Sequence, residues 1–221
     1  IGDIKLNFDS KGKVKNDYEI KGFLKKGKLD ILRKYSIKDL NLLFNIKNNK
    51  YSLMDIGGVF NNIKLSSQLI SIEEKNKKFF VKGKFENKKK DINIEILNKL
   101  FEKKLKDNGF EKINFSSNND FSFNSDKKLR IDNFRLKSEI NLDKLIYKKS
   151  LAKIRKYLPN FEDNIKLENH KISIIYKKNN LSIKGKGAAL IEGKADYIEY
   201  KLDKKKLNYN FDIIANLKKN S

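Results

Sequence analysis

Between Ser36 and Phe85 apolar residues recur at every second position. Leu40, Leu42, Phe44 and Ile46 stand against Asp39, Asn41 and Asn45, and Phe79, Val81, Gly83 and Phe85 stand against Lys82, Lys84 and Glu86. A period of two separates the two sets onto opposite faces of a strand, whereas a helix needs a period near 3.6. The stretch therefore predicts consecutive strands with one apolar and one wet face. Turns are expected at Lys47 to Lys50, from Gly57–Gly58 to Asn62, and from Glu74 to Lys77.

The same pattern surrounds it. Ile4, Leu6 and Phe8, a turn at Asp9 to Gly12, and Val14, Tyr18, Ile20, Gly22 and Leu24 predict a hairpin over residues 3–24, broken at Gly27 and Lys28. Leu29 to Tyr35 fits a strand or a helical turn. Leu97, Leu100, Phe101 and Leu105, spaced by three and four and followed by Asn108–Gly109, predict a short helix over about 96–107. Leu151, Ile154 and Leu158, ahead of Pro159, predict a second over 150–158. Short strands are expected at Ile113 with Phe115 and at Phe121 with Phe123. A change of phase at Asn133 signals a bulge. Strands return at Ile172 to Tyr176, at Leu181 to Tyr200, and through Leu207, Tyr209, Phe211, Ile213, Ala215 and Leu217.

A length of 221 residues allows one large β domain or two small ones. No run of about eighteen apolar residues occurs, so no membrane-spanning helix is expected within it. The chain opens on Ile1, and the expectation is a piece of a longer protein whose targeting segment lies upstream. The absence of cysteine fits any compartment. The formal charge of +23 invites a nucleic-acid partner. Nearly all of it is lysine, however, with arginine at Arg33, Arg130, Arg135 and Arg155, and guanidinium groups are what phosphate and guanine sites favour. The lysines are scattered over turns and the wet sides of strands, so a solvated face that discourages edge-to-edge pairing is the expectation. Attraction to anionic lipid head groups, about 1 kcal/mol for each basic residue near such a surface, stays open.

No catalytic or metal site is expected. With no cysteine and one histidine, His170, neither a Cys/His metal cluster nor a Ser-His-Asp set is readily assembled. His170 is expected at the start of a strand as a turn residue. Glu73–Glu74, Asp91 and Glu162–Asp163 lie among lysines, the setting of solvated ion pairs. The glycines from Gly185 to Gly193 fail as a phosphate loop because neither Ser nor Thr follows Lys194 and no helix starts there. Gly185, Gly187, Ala189 and Gly193 instead alternate along one strand face, leaving room for something to approach closely.

The phrase from Ser36 to Ile46, the following Tyr51 to Phe60, the strand Phe80 to Phe85 and the closing series from Ile172 to Leu217 resemble the AsmA-like family. The likeness is to the large proteins of the YhdP and TamB type, with the domain next to their AsmA-like carboxyl region. That resemblance implies a mainly β fold, a long curved antiparallel sheet forming an open groove with one or two short helices. Residues 1–221 would be a single segment of a larger protein, with a possible sub-boundary near 91–110. It implies a non-enzymatic, cofactor-free segment of a periplasmic bridge, anchored in the inner membrane by a part not present here. The segment would shield phospholipid acyl chains on their way to the outer membrane, with other segments of the same chain as partners and no specific nucleic acid. The expected groove lining is Leu40, Leu42, Phe44, Ile46, Phe79, Val81 and Phe85, together with Leu207, Tyr209, Phe211 and Ile213. The alternative is a structural or adhesive β-sandwich module of an envelope protein, in which the same residues form a closed core.

Overall fold

The computed structural model describes residues 2–15, 17–31, 35–92, 94–95, 109–148, 164–191 and 194–216. They form twelve strands in one sheet, ordered in space as in sequence. The strands are β1 (Gly2–Lys5), β2 (Glu19–Ile31), β3 (Tyr35–Lys47), β4 (Lys50–Phe60), β5 (Ile63–Lys75) and β6 (Lys78–Ile92). They continue as β7 (Phe110–Asp126), β8 (Ile131–Lys148), β9 (Asn164–Lys177), β10 (Asn180–Ile191), β11 (Lys194–Lys205) and β12 (Asn208–Asn216). The fold is almost entirely antiparallel β, and the sheet is open rather than closed into a barrel. An open sheet is the architecture that an accessible apolar face requires.

Two-residue turns fix the hairpins. Asn48–Asn49, Asn61–Asn62, Asn76–Lys77 and Lys178–Asn179 have positive φ at both positions, the conformation whose twist matches that of the flanking strands. Asparagine tolerates it better than other residues with a Cβ. Part of the Asn enrichment is therefore conformational.

The strands are longer than the alternation alone suggests, because bulges let them continue through local breaks in the pattern. The expected interruption at Gly27 and Lys28 does not occur. β2 runs on to Ile31, with the register against β3 shifting around Gly27 and Lys26 at a φ of 51°. Gly57 and Gly58 likewise lie inside β4, and the turn is confined to Asn61–Asn62. The two short strands expected around Phe115 and Phe121 are one strand, β7, whereas Leu181 to Tyr200 is divided between β10 and β11. Asn133 has a φ of 53° inside β8, where the phase of the apolar positions changes. Ile94 and Glu95 are helical, but the two expected helices over 96–107 and 150–158 lie outside the described residues.

The chain groups into two compact units, residues 1–87 with 118–136, and residues 88–117 with 137–221.

Candidate apolar binding face

In the first unit, cross-strand register carries one face through consecutive strands. Ile4 stands opposite Ile20, which stands opposite Ile46, then Tyr51, Ile72 and Val81. A parallel row runs Gly22, Phe44, Leu53, Ile70 and Gly83. Directly opposed residues project to the same side, so both rows are apolar across the whole width. β7 continues them: Phe85 and Phe121 lie with ring centroids 6.0 Å apart, and Phe121 stacks on Phe123 at 6.1 Å. The intervening row, on the opposite face, is Lys21, Asn45, Ser52, Ser71 and Lys82. That wet face is interrupted where Phe23, Leu43, Met54 and Leu69 stand in direct register and again at Phe80, opposite Glu73.

Glycines on the apolar face are covered by rings from the next strand. A Cβ at Gly22 would meet the Phe44 ring at 2.5 Å, and one at Gly83 would meet the Phe121 ring at 3.1 Å. Ring-over-glycine pairing restores the packing that a missing side chain forfeits.

The second unit repeats the arrangement with polar atoms built in. Ile174, Ile183, Leu202 and Phe211 form one row, and Ile172, Gly185, Tyr200 and Ile213 the next. The phenol of Tyr200 lies over Gly185 and the imidazole of His170 over Gly187, with the two rings 5.8 Å apart. The room at Gly185 and Gly187 is thus filled by the protein's own rings, while Gly193 lies outside the described residues. His170 is not a turn residue: it sits within β9, next to Asn169 at a φ of 55°, and is 1% exposed. Its Nε2–H donates to the Ala188 carbonyl at 2.8 Å, while its Nδ1 is buried without a hydrogen-bond partner. Burial pushes the imidazole pKa below the ordinary histidine value, against the opposing effect of that hydrogen bond, and pushes the Tyr200 hydroxyl up. On the wet face Asp203 accepts from the Ser182 hydroxyl at 2.6 Å and pairs with Lys201 at 2.6 Å. The Lys201 ammonium first, and Ser182 next, hold its carboxyl below the usual range.

The expected lining residues take the following places. Phe44 and Ile46 stand in the two rows of the first unit, and Leu42 faces Leu24 one pair further along. Leu40 lies opposite Gly27 and is one of the buried apolar side chains. Val81 faces Ile72, while Phe79 faces Glu74 at the turn end of the sheet. Tyr209 faces Lys204, whose ammonium lies 5.1 Å from the ring centroid. Phe211 and Ile213 face Leu202 and Tyr200, and Leu207 lies in the β11–β12 turn, 89% exposed. Sequence reasoning passed over Tyr51, Leu53, Ile70, Ile72, Phe121 and Phe123. A two-residue turn at Asn48–Asn49 already dictates that Ile46 meets Tyr51 and Phe44 meets Leu53, so for those two the signal was there.

Most of these side chains are half-buried. Among the described residues the fully buried apolar ones are Leu40, Ile63, Ile92, Ile94, Leu142 and Ala189, and no second sheet lies among the described strands. A sandwich core would bury such rows completely. Two surface depressions are lined largely by polar and charged side chains: one by Lys171, Lys184, Lys201, Glu199 and Asp212 with Tyr200, another by Ser66, Lys84 and Asp120 with Phe85 and Phe121. No group of three or more metal-ligating side chains occurs among the described residues.

Fold and face together define a class, an open antiparallel sheet with an apolar side in each unit. No protein-family model matches the chain, and no curated protein or solved structure matches it.

Proposed function

We propose that the apolar face shields lipid acyl chains from water, and that this chain is a segment of a bridge along which phospholipid crosses the periplasm between two membranes. The observation that carries this is a row structure apolar across at least five strands and half-exposed, with no covering layer among the described residues. Keeping a tail out of water is worth about 0.8 kcal/mol per methylene, so contact along such a face holds a chain without any specific polar contact. Function is then spread over many side chains, in keeping with a sequence that offers no catalytic constellation. An acyl chain would lie along these apolar rows, with the lysine-rich face turned to solvent.

Purification without detergent followed by lipid mass spectrometry tests the proposal. The chain is expected to carry phospholipid or fatty acid, and Phe44→Asp to lose about ten times more of it than Asn45→Asp, its neighbour on the other face. A chain that is empty after extraction from a lipid-rich lysate, or equal losses from the two substitutions, overturns it.

A further inference from the structure

We infer that one end of the first unit docks on an anionic membrane surface, through an apolar hairpin tip and the exposed lysines at the same end. The inference goes beyond acyl-chain shielding, because it concerns the rim of the sheet and not its apolar face.

Sequential antiparallel order places the turns at Asn48–Asn49, Asn76–Lys77 and Lys127–Lys128 at the same end, and contacts join them. Glu74 N–H donates to the Asn49 carbonyl at 3.0 Å, and Lys127 reaches Glu74 at 3.6 Å. The residues at these turns include Lys47, Lys50, Lys75, Lys77, Lys78, Lys127, Lys128 and Arg130, eight cations against the three carboxylates of Glu73, Glu74 and Asp126. Each carboxylate is already engaged: Glu73 by Lys50 and Lys75, Glu74 by Lys127, Asp126 by Arg130. Lys47, Lys77, Lys78 and Lys128 are exposed, with no ion pair among the described residues.

Residues 6–15 stand at this same end, since Glu19 faces Lys47 in register and the Tyr18 hydroxyl lies 3.4 Å from the Asn49 side-chain oxygen. They form a small ordered hairpin. The Asp9 carboxylate accepts from the amides of Lys11 and Lys13 at 2.8 and 2.9 Å, Lys15 N–H donates to the Asn7 carbonyl, and Gly12 takes a φ of 73°. Its acidic group is therefore turned inward on the backbone. Phe8 and Val14 face each other across the hairpin, yet are 56% and 50% exposed, and Leu6 is exposed beside them. Lys11, Lys13 and Lys15 lie on the same hairpin and are exposed.

Exposed apolar side chains at the same end as a set of exposed ammonium groups match the two layers of an anionic bilayer, an acyl boundary below a negative head-group surface. Phe8 is the tip's one aromatic ring; Leu6 and Val14 beside it offer nothing to a nucleic-acid base, which is read by aromatic stacking and guanidinium forks, and the one guanidinium at these turns, Arg130, is engaged by Asp126. The occupant is accordingly a lipid surface.

The test is co-sedimentation of the 221-residue chain with vesicles of phosphatidylcholine alone and with one third phosphatidylglycerol. Strong, salt-sensitive binding to the second and little to the first is expected. Replacing Lys77, Lys78 and Lys128 together by Gln is expected to weaken binding roughly a hundredfold, at about fivefold for each charge. The chain has no tryptophan, so Phe8→Trp gives a single reporter whose emission is expected to shift to the blue on anionic vesicles. Equal binding to both vesicles, a triple variant that binds as the parent does, or an indole reporter blind to vesicles that the chain binds overturns the inference. Equal affinity and an equal emission shift with a nonspecific oligonucleotide at the same salt does so too. Phe44→Asp is expected to keep vesicle binding and the triple Lys→Gln variant to keep its lipid cargo, so failure of docking and failure of shielding are read separately.

Discussion

Phe44 in β3 and Phe211 in β12 obey the same alternation, yet one is half-buried between two strands and the other is 61% exposed on a strand with a neighbour on one side only in the strand order. Both lie on apolar faces and both sit opposite leucine, Leu53 and Leu202. The difference teaches that alternation assigns a residue to a face, while its burial is decided by what stands on either side across the hydrogen-bonding direction. The two units differ in a second way. Rings of the first cover glycine with hydrocarbon alone, whereas the second covers Gly187 with an imidazole that has an unsatisfied nitrogen.

The sharpest way to break this comparison is at the glycines. Gly187→Ala puts a Cβ 2.5 Å from the His170 ring and 2.7 Å from its Cα, backbone that cannot swing aside. A loss of about 2–3 kcal/mol is expected from overpacking. Gly57→Ala meets nothing within 4 Å and is expected to stabilise by roughly 0.5 kcal/mol through the unfolded chain. Urea unfolding midpoints measure both, and equal effects would mean that ring-over-glycine contacts carry no weight.

Next in size is truncation of the two phenylalanines. Phe44→Ala is expected to cost about 2 kcal/mol, below the roughly 3–5 kcal/mol of a fully buried ring, and Phe211→Ala about 0.5 kcal/mol. If the order reverses in the same measurement, something covers β12 in solution that does not cover β3.

The smallest effect is on pH dependence in the histidine range, which the one histidine places in the second unit. His170 has a folded pKa below its unfolded value, so as pH falls the unfolded chain takes up the proton first. Stability is then complete above about 6.5, the ordinary histidine value, and declines as pH drops below it. His170→Gln, which can still donate to the Ala188 carbonyl, is expected to flatten that part of the profile. An unchanged slope would assign the pH response to other groups.

Much of the fold was legible in the sequence because a sheet with one wet face writes its period directly, as from Leu40 to Ile46. Strand length was not, because Lys26, Asp55 and Asn133 adopt positive φ inside strands, and a bulge leaves a local break in pattern indistinguishable from a turn. The burial of His170 was also hidden. It depends on Gly187 in the next strand, so neither residue announces the contact alone. The basic rim was masked for a related reason: its lysines come from turns far apart in sequence, and only the strand order gathers them at one end.

Because every strand pairs with its predecessor and its successor in sequence, the protein is close to one-dimensional in its energetics. Each hairpin contributes its own share plus one junction on either side, so the whole behaves like a zipper with a nearest-neighbour stability sum. Apart from the connections 6–18, 93–109 and 149–163, the loops that must close during folding are short turns, so much of the search is local even though the product is all β. Such a design can gain or lose a pair of strands without disturbing the rest, which makes length, not shape, the property that evolution can adjust most freely.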